Sequence, residues 1–288
     1  GYSLRGFHYL ALTIEMGDLK ATGYGAGSKD SAHEKAFSEA VERASLFNFC
    51  RKMNIDESSN GWACHVNEDL AIEAATLELI ERDVAVGAWL NFGKFYEVPQ
   101  ELWPQVLLSW KAALECKPEF HNLRILLSEN KNGACISALL FNDRGNFVAG
   151  HASGRCIEEA ITSATLECLR AAHAALRFEH FSAIRLLHSA VPTIFKFAPG
   201  VHSLAYAYSV PMPDSIDISP ITSHDVNLKW RNHCTKFSKL DRRDLDITLF
   251  DFSNRIVARV KSDRYKDIFW GHPPETFEHK NKHPHFVG

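Results

Sequence analysis

The 288 residues predict a mixed α/β (α+β) fold, on three observations. A helical pattern of small residues recurs, each copy follows a strand-like or turn segment rich in small residues, and further strand patterns lie between and after the copies. The pattern reads A-x-x-x-A-x-x-E-x-x-E-R from Ala32 to Arg43 and again from Ala71 to Arg82, then A-x-x-x-A-x-x-E-x-x-R from Ala160 to Arg170. Steps of four, three and three keep the alanines, glutamates and the arginine of each copy on one helical face.

In chain order, residues 7 to 23 alternate apolar and polar and read as one or two strands. A loop from Gly23 to Asp30 follows, then a helix over roughly 30–52 with Ser28 or Asp30 as N-cap. Ser58 to His65 reads as a second polar turn, and Asn67 caps a helix over roughly 68–91. Pro99 to Cys116 reads as a further helix with Pro104 near its start. Leu123 to Ser128 is a short apolar strand. Ala134 to Phe141 and Asn146 to Ala152 form a hairpin with Gly145 in its turn, leading into the third helix at about 157–178. The periodicity then weakens, leaving one helix near 224–240, a strand pair at Ile247–Phe252 and Arg255–Lys261, and a tail. The expected organisation is a single domain over 1–288, with a less regular excursion at about 180–246 and a tail at about 270–288. The chain starts in strand-like sequence, so a preceding segment is expected to be missing.

Composition removes several classes. A net charge of −3 offers no basic field for nucleic acid or anionic membrane. No apolar run spans a bilayer, no signal peptide opens the chain, and seven scattered cysteines form no C-x-x-C pair. A cytoplasmic protein with reduced thiols follows.

A single E-x-x-E-R is ordinarily a solvated, salt-bridged helical face. Three copies sharing both alanines differ, because only close backbone packing demands Ala at two fixed positions. Repeats can still be purely architectural. If the copies converge, Glu39, Glu42, Glu78, Glu81 and Glu167 cannot remain ionised together without cations, so they predict metal. All-oxygen ligands suit Mg2+, and five of them suit two or three ions. Arg43, Arg82 and Arg170 add donors shaped for phosphate. Carboxylates, Mg2+ and arginines around a polyphosphate make a phosphoryl-transfer site, and the Gly23–Lys29 loop would offer N–H groups to phosphates.

The segments G-x-G-x-S-K-D-S-A…E-A-V-E-R, S-N-G-W-A-C-H…A-x-x-x-A-x-x-E-L-I-E-R-D and the hairpin leading to A-x-x-x-A-x-x-E resemble the YcaO family over residues 15 to 175. The resemblance implies ATP-dependent activation of a peptide backbone amide by phosphorylation of its oxygen, with the three devices packed around a central ATP and Mg2+ site. Attack by a neighbouring Cys, Ser or Thr gives an azoline, the precursor of a thiazole or oxazole; sulfide gives a thioamide and an amine an amidine. It further implies Mg2+ on Glu39, Glu42, Glu78, Glu81 and Glu167. Its partners would be a precursor peptide and a leader-binding or sulfur-delivering protein, with homo-oligomers allowed.

Three positions depart from the family pattern. Lys35 stands where many relatives carry Ser, Ser163 where some carry Arg, and Leu70 where some carry Glu. The nucleotide contacts are therefore assigned to Lys29, Lys35, Arg43, Arg82 and Ser163, with Arg155 a further substitute. The ending His283-Pro-His-Phe-Val-Gly288 keeps one proline of the proline-rich tail of azoline-forming relatives, which favours azolines. Two rivals stand beside this reading: a non-catalytic nucleotide- or peptide-binding partner, and an ATP-independent carboxylate-bridged hydrolase that lacks a His–carboxylate motif. His65 reads as structural or substrate-facing. Asp83 reads as orienting Arg82. Trp62, Trp89 and Phe92 are core residues, and Cys64 and Cys156 have no chemistry. His279, His283 and His285 belong to a flexible end or act as a base. No general base is assigned.

Overall fold

The computed structural model describes residues 2–4, 7–55, 57–91, 93–108, 122–142, 145, 147–179 and 216–265. They fall into two compact units, one of residues 1–82 with 239–267 and one of 83–238 with the chain end.

The first unit carries two antiparallel sheets. In one, β1 (Tyr2–Leu4), β2 (Phe7–Met16) and β3 (Leu19–Gly27) lie in that order; the hairpin turns at Gly17, whose φ of 63° suits glycine. The segment Gly23–Gly27, expected as a loop, is the second half of β3. Its glycines are there for contact: a Cβ on Gly23 would stand 2.1 Å from the Ala36 carbonyl oxygen, and one on Gly25 1.8 Å from that of Ala32. Helix α1 (Lys29–Met53) therefore rests directly on the strand through Ala32, Ala36 and Ala40, all buried. Ser28 caps it, its Oγ accepting from Ser31 N–H at 3.3 Å, and Asn54 closes it in the left-handed region.

The other sheet orders β10 (Asp246–Phe252), β11 (Arg255–Lys261) and β4 (Trp62–His65). Trp62–His65, read as turn, is thus a strand, paired with 256–259. Trp62 stacks on Phe250 at 5.3 Å and packs with Val41, Leu46, Phe49 and Val257 in this unit's core. Helix α2 (Glu68–Leu90) begins after Asn67, whose Oδ1 accepts from Leu70 N–H at 3.2 Å.

The second unit is built on a five-stranded sheet ordered β8-β7-β6-β5-β9: β5 (Phe95–Glu97), β6 (Asn122–Glu129), β7 (Ala134–Phe141), β8 (Phe147–Ala152) and β9 (Ile218–Pro220). All neighbours are antiparallel except β5 and β9. The β7–β8 hairpin turns at Gly145, φ 76°. The runs in β7 and β8 are buried on both faces, which explains their lack of polar alternation. Helix α3 (Ile157–Glu179) follows β8, and α4 (Ser223–Ser238) follows β9. Trp89, Leu90, Phe95, Leu126, Leu139 and Phe147 centre the core. The expected helix at 99–116 starts as a 3-10 turn, Gln100–Leu102, and is α-helical at 105–108 after Pro104, while its residues 109–116 lie outside those described, as do Phe92 and the tail histidines.

Candidate functional site

Glu39 lies on α1 one residue before Ala40, where Gly23 brings helix and strand together. Its Oε2 accepts from the Tyr24 backbone N–H at 2.6 Å, and its Oε1 pairs with Arg43 at 2.7 Å. Arg43 also donates to the Thr22 carbonyl oxygen at 2.6 Å and stands over the Tyr24 ring at 5.4 Å. One helical turn thus satisfies both an N–H and a C=O of β3, the strand at the end of its sheet. The glycine segment does not present a free row of N–H groups, since that of Tyr24 is already bonded to Glu39.

Glu42 is half-buried and turns toward β4, where its charge, after burial, helps raise the Cys64 thiol to about 11. On α2, Arg82 Nε lies 3.4 Å from Glu81 and 4.0 Å from Glu78, and Glu81 is buried. The turn before β4 is fastened by Glu57, which accepts from Arg259 at 2.9 Å and Trp62 Nε1 at 3.0 Å. Lys261 bonds the Asn60 carbonyl oxygen at 3.0 Å.

The second unit repeats the first arrangement. A Cβ on Gly150 would stand 2.2 Å from the Ala164 carbonyl oxygen, so α3 rests on β8 as α1 does on β3. Glu167 Oε2 accepts from the His151 backbone N–H at 2.8 Å, and Arg170 lies 3.4 Å from its Oε1. Buried His151 also pairs through Nδ1 with Ser137 at 2.9 Å. Tyr24 and His151 were not singled out from sequence. The signal was a glycine in a strand, sixteen positions ahead of Glu39 and seventeen ahead of Glu167, followed directly by the residue whose N–H the glutamate meets.

Lys35 and Ser163 occupy the same exposed position, one turn before their glutamates, and Lys29 is exposed at the start of α1. Asp83, expected to orient Arg82, accepts from Asn130 and Asn132, each at 2.8 Å, and so braces the β6–β7 turn. Arg43 and Arg82, expected on phosphates, pair with the device glutamates. Among the described residues no three Asp, Glu, His or Cys side chains stand at metal-ligand spacing. A guanidinium and a backbone amide meet Glu39 and Glu167, and the Arg82 guanidinium stands beside Glu78 and Glu81.

No protein-family model matches the chain, and no curated protein does. Solved structures do. The chain is similar to YcaO from Methanopyrus kandleri bound with AMPPCP and Mg2+, at 14% identity over 89% of this chain and 82% of that one, with a TM-score of 0.56. It is also similar to the E. coli microcin synthetase McbBCD complex, at 12% identity over 88% of each chain and a TM-score of 0.52. The fold is that of YcaO. In this chain's version of the YcaO fold the glycine–glutamate contacts set α1 on β3 and α3 on β8. No helix among the described residues is long and apolar enough to cross a membrane.

Proposed function

We propose that this protein is an ATP- and Mg2+-dependent enzyme that phosphorylates a backbone amide oxygen of a ribosomally synthesised peptide, forming azolines from Cys, Ser or Thr. The observation that carries the reading is the doubled E-x-x-E-R, on α1 and α2, in a chain with the YcaO fold. The similar YcaO structure is bound with AMPPCP and Mg2+, and the similar McbBCD complex is a microcin synthetase.

The donor set fits magnesium, being carboxylate oxygen throughout. Glu39, Glu42, Glu78 and Glu81 are the proposed ligands of the first unit and Glu167 that of the second. Bound Mg2+ would neutralise the triphosphate and stabilise charge developing on the γ-phosphoryl group. Arg43 and Arg82 now balance the carboxylates; with those balanced by cations, both guanidiniums are left for phosphate oxygens. Lys29, Lys35 and Ser163 are the proposed further contacts to nucleotide. In the reaction the amide oxygen bonds the γ-phosphorus as the bond to ADP breaks. The neighbouring side chain then adds to the amide carbon, and phosphate leaves with that oxygen. A leader-binding or sulfur-delivering protein is the proposed partner.

Exposed Leu70, in the first turn of α2 where some relatives of this fold carry glutamate, favours a second reading: a nucleotide-binding partner without turnover. Phosphate release from ATP, measured with a pool of synthetic peptides containing internal Cys, Ser or Thr, separates the two. The enzyme reading expects peptide-stimulated release and loss of one water per modified residue by mass. Gain of sulfur in place of oxygen would move the product to a thioamide, and silence would leave the partner reading.

A further inference from the structure

The turn Ser153–Gly154–Arg155, between β8 and α3, is gripped by α4. Buried His233 accepts at Nδ1 from Ala134 N–H at 3.2 Å, and its Nε2 lies 3.1 Å from the Gly154 carbonyl oxygen. Ser153 Oγ donates to the Ala134 carbonyl oxygen at 2.9 Å, so Nε2 carries the imidazole proton and donates it to Gly154. The next residue, Cys234, has its sulfur 3.2 Å from the Arg155 carbonyl oxygen, and the Arg155 guanidinium stands over Phe237 at 5.5 Å.

Cys156 follows Arg155 directly, and its thiol donates to Glu158 at 2.8 Å. The Arg155 carbonyl oxygen and the Cys156 Cα share one planar peptide, about 2.8 Å apart. Sulfur Sγ of Cys234 therefore lies within roughly 6 Å of the Cys156 Cα, close enough for side-chain rotation to bring the sulfurs together. Both thiols are half-buried, whereas Cys135 and Cys168 are fully buried and Cys50 and Cys64 pack in an apolar cluster. We propose that Cys156 and Cys234 are a disulfide-forming pair, a thiol modification site that fastens α4 to the first turn of α3.

The oxidant class is a low-molecular-weight disulfide. One cysteine, deprotonated, attacks a sulfur of glutathione disulfide; a mixed disulfide forms and one glutathione thiolate leaves. The second cysteine, deprotonated, attacks the protein sulfur of that mixed disulfide and releases the second glutathione. Two protein thiols are oxidised, one glutathione disulfide is reduced to two thiols, and the two protons end on them. The bond to Glu158 raises the Cys156 thiol and burial raises that of Cys234, so both are protonated at neutral pH and exchange faster in mild alkali.

The test incubates the full chain with glutathione disulfide at mildly alkaline pH, alkylates remaining thiols and digests without reductant. The expected product joins the Cys156 peptide to the Cys234 peptide, reductant separates them, and amide exchange over residues 153–157 slows about tenfold or more. Recovery of both cysteines alkylated, each carrying glutathione without a join, or joined elsewhere would overturn the pairing. Cys234→Ser should trap a glutathione adduct on Cys156, and if that variant fails to fold, Cys156→Ser should trap one on Cys234. An intramolecular bond from the remaining cysteine in either variant also overturns it. None of these outcomes depends on nucleotide binding, so they stand apart from the proposed reaction.

Discussion

In the first unit Gly23 lets α1 touch β3 and Glu39 takes the Tyr24 N–H; in the second, Gly150 and Glu167 do the same for α3, β8 and His151. The copies part three residues later. Glu42 follows Glu39, whereas Arg170 follows Glu167. They also part at the turn into the helix, which Ser28 caps in one copy and α4 clasps in the other. Shared residues therefore belong to a packing device, in which a glutamate replaces the missing strand neighbour of an end strand. Glu39 and Glu167 thus hold a strand N–H besides their proposed place on the metal, whereas Glu42 and its counterpart Glu81 on α2 are the proposed ligands that the α3 copy lacks.

Breaking the shared part should cost most. Gly150→Ala and Gly23→Ala each drive a methyl into helix backbone and should lose about 3 kcal/mol or more, read from denaturant midpoints. An equal loss in both copies supports one device; tolerance in one copy breaks the comparison. Next come the glutamates. Glu39→Ala and Glu167→Ala strand a strand N–H and should cost about 1–3 kcal/mol, while the Gln variants keep an acceptor and should cost under about 1 kcal/mol.

Acid should separate the two units. Burial holds His233 below its usual range, so its contribution is complete above the unfolded value of roughly 6.5 and is lost as pH falls through the folded one. Burial pushes Glu57 up, but bonds from Arg259 and Trp62 outweigh it and hold the carboxyl low. Its contribution is present above roughly 4.3 and lost as pH falls through the folded value. Amide exchange in β7 and α4 should therefore rise at mildly acid pH, and in β4 and β11 only at lower pH. His233→Gln should remove the first step and Glu57→Gln the second. The smallest effect belongs to Arg170→Ala, whose 3.4 Å pair should be worth at most about 0.5 kcal/mol.

The helices were legible because Ala at two fixed positions is a packing signature, and the hairpin at Gly145 because its turn needs a positive φ. The class of fold followed from the same pattern. Gly23–Gly27 was misread since glycine serves turns and close approach alike, and only the partner helix distinguishes them. Trp62–His65 looked like turn because its partner, β11, lies almost two hundred residues on. At the candidate site the glutamates were visible but their N–H partners were not, because a backbone donor leaves no mark on residue type. The same holds for Asp83, whose asparagine partners come from a distant turn.

Calorimetric titration of the full chain with AMPPCP, with and without Mg2+, tests the central claim most directly. Saturable binding that needs Mg2+ is expected, weakened about tenfold or more (about 1.4 kcal/mol) in Glu42→Gln and Glu81→Gln. Absence of binding, or equal affinity in wild type and both variants, would contradict it.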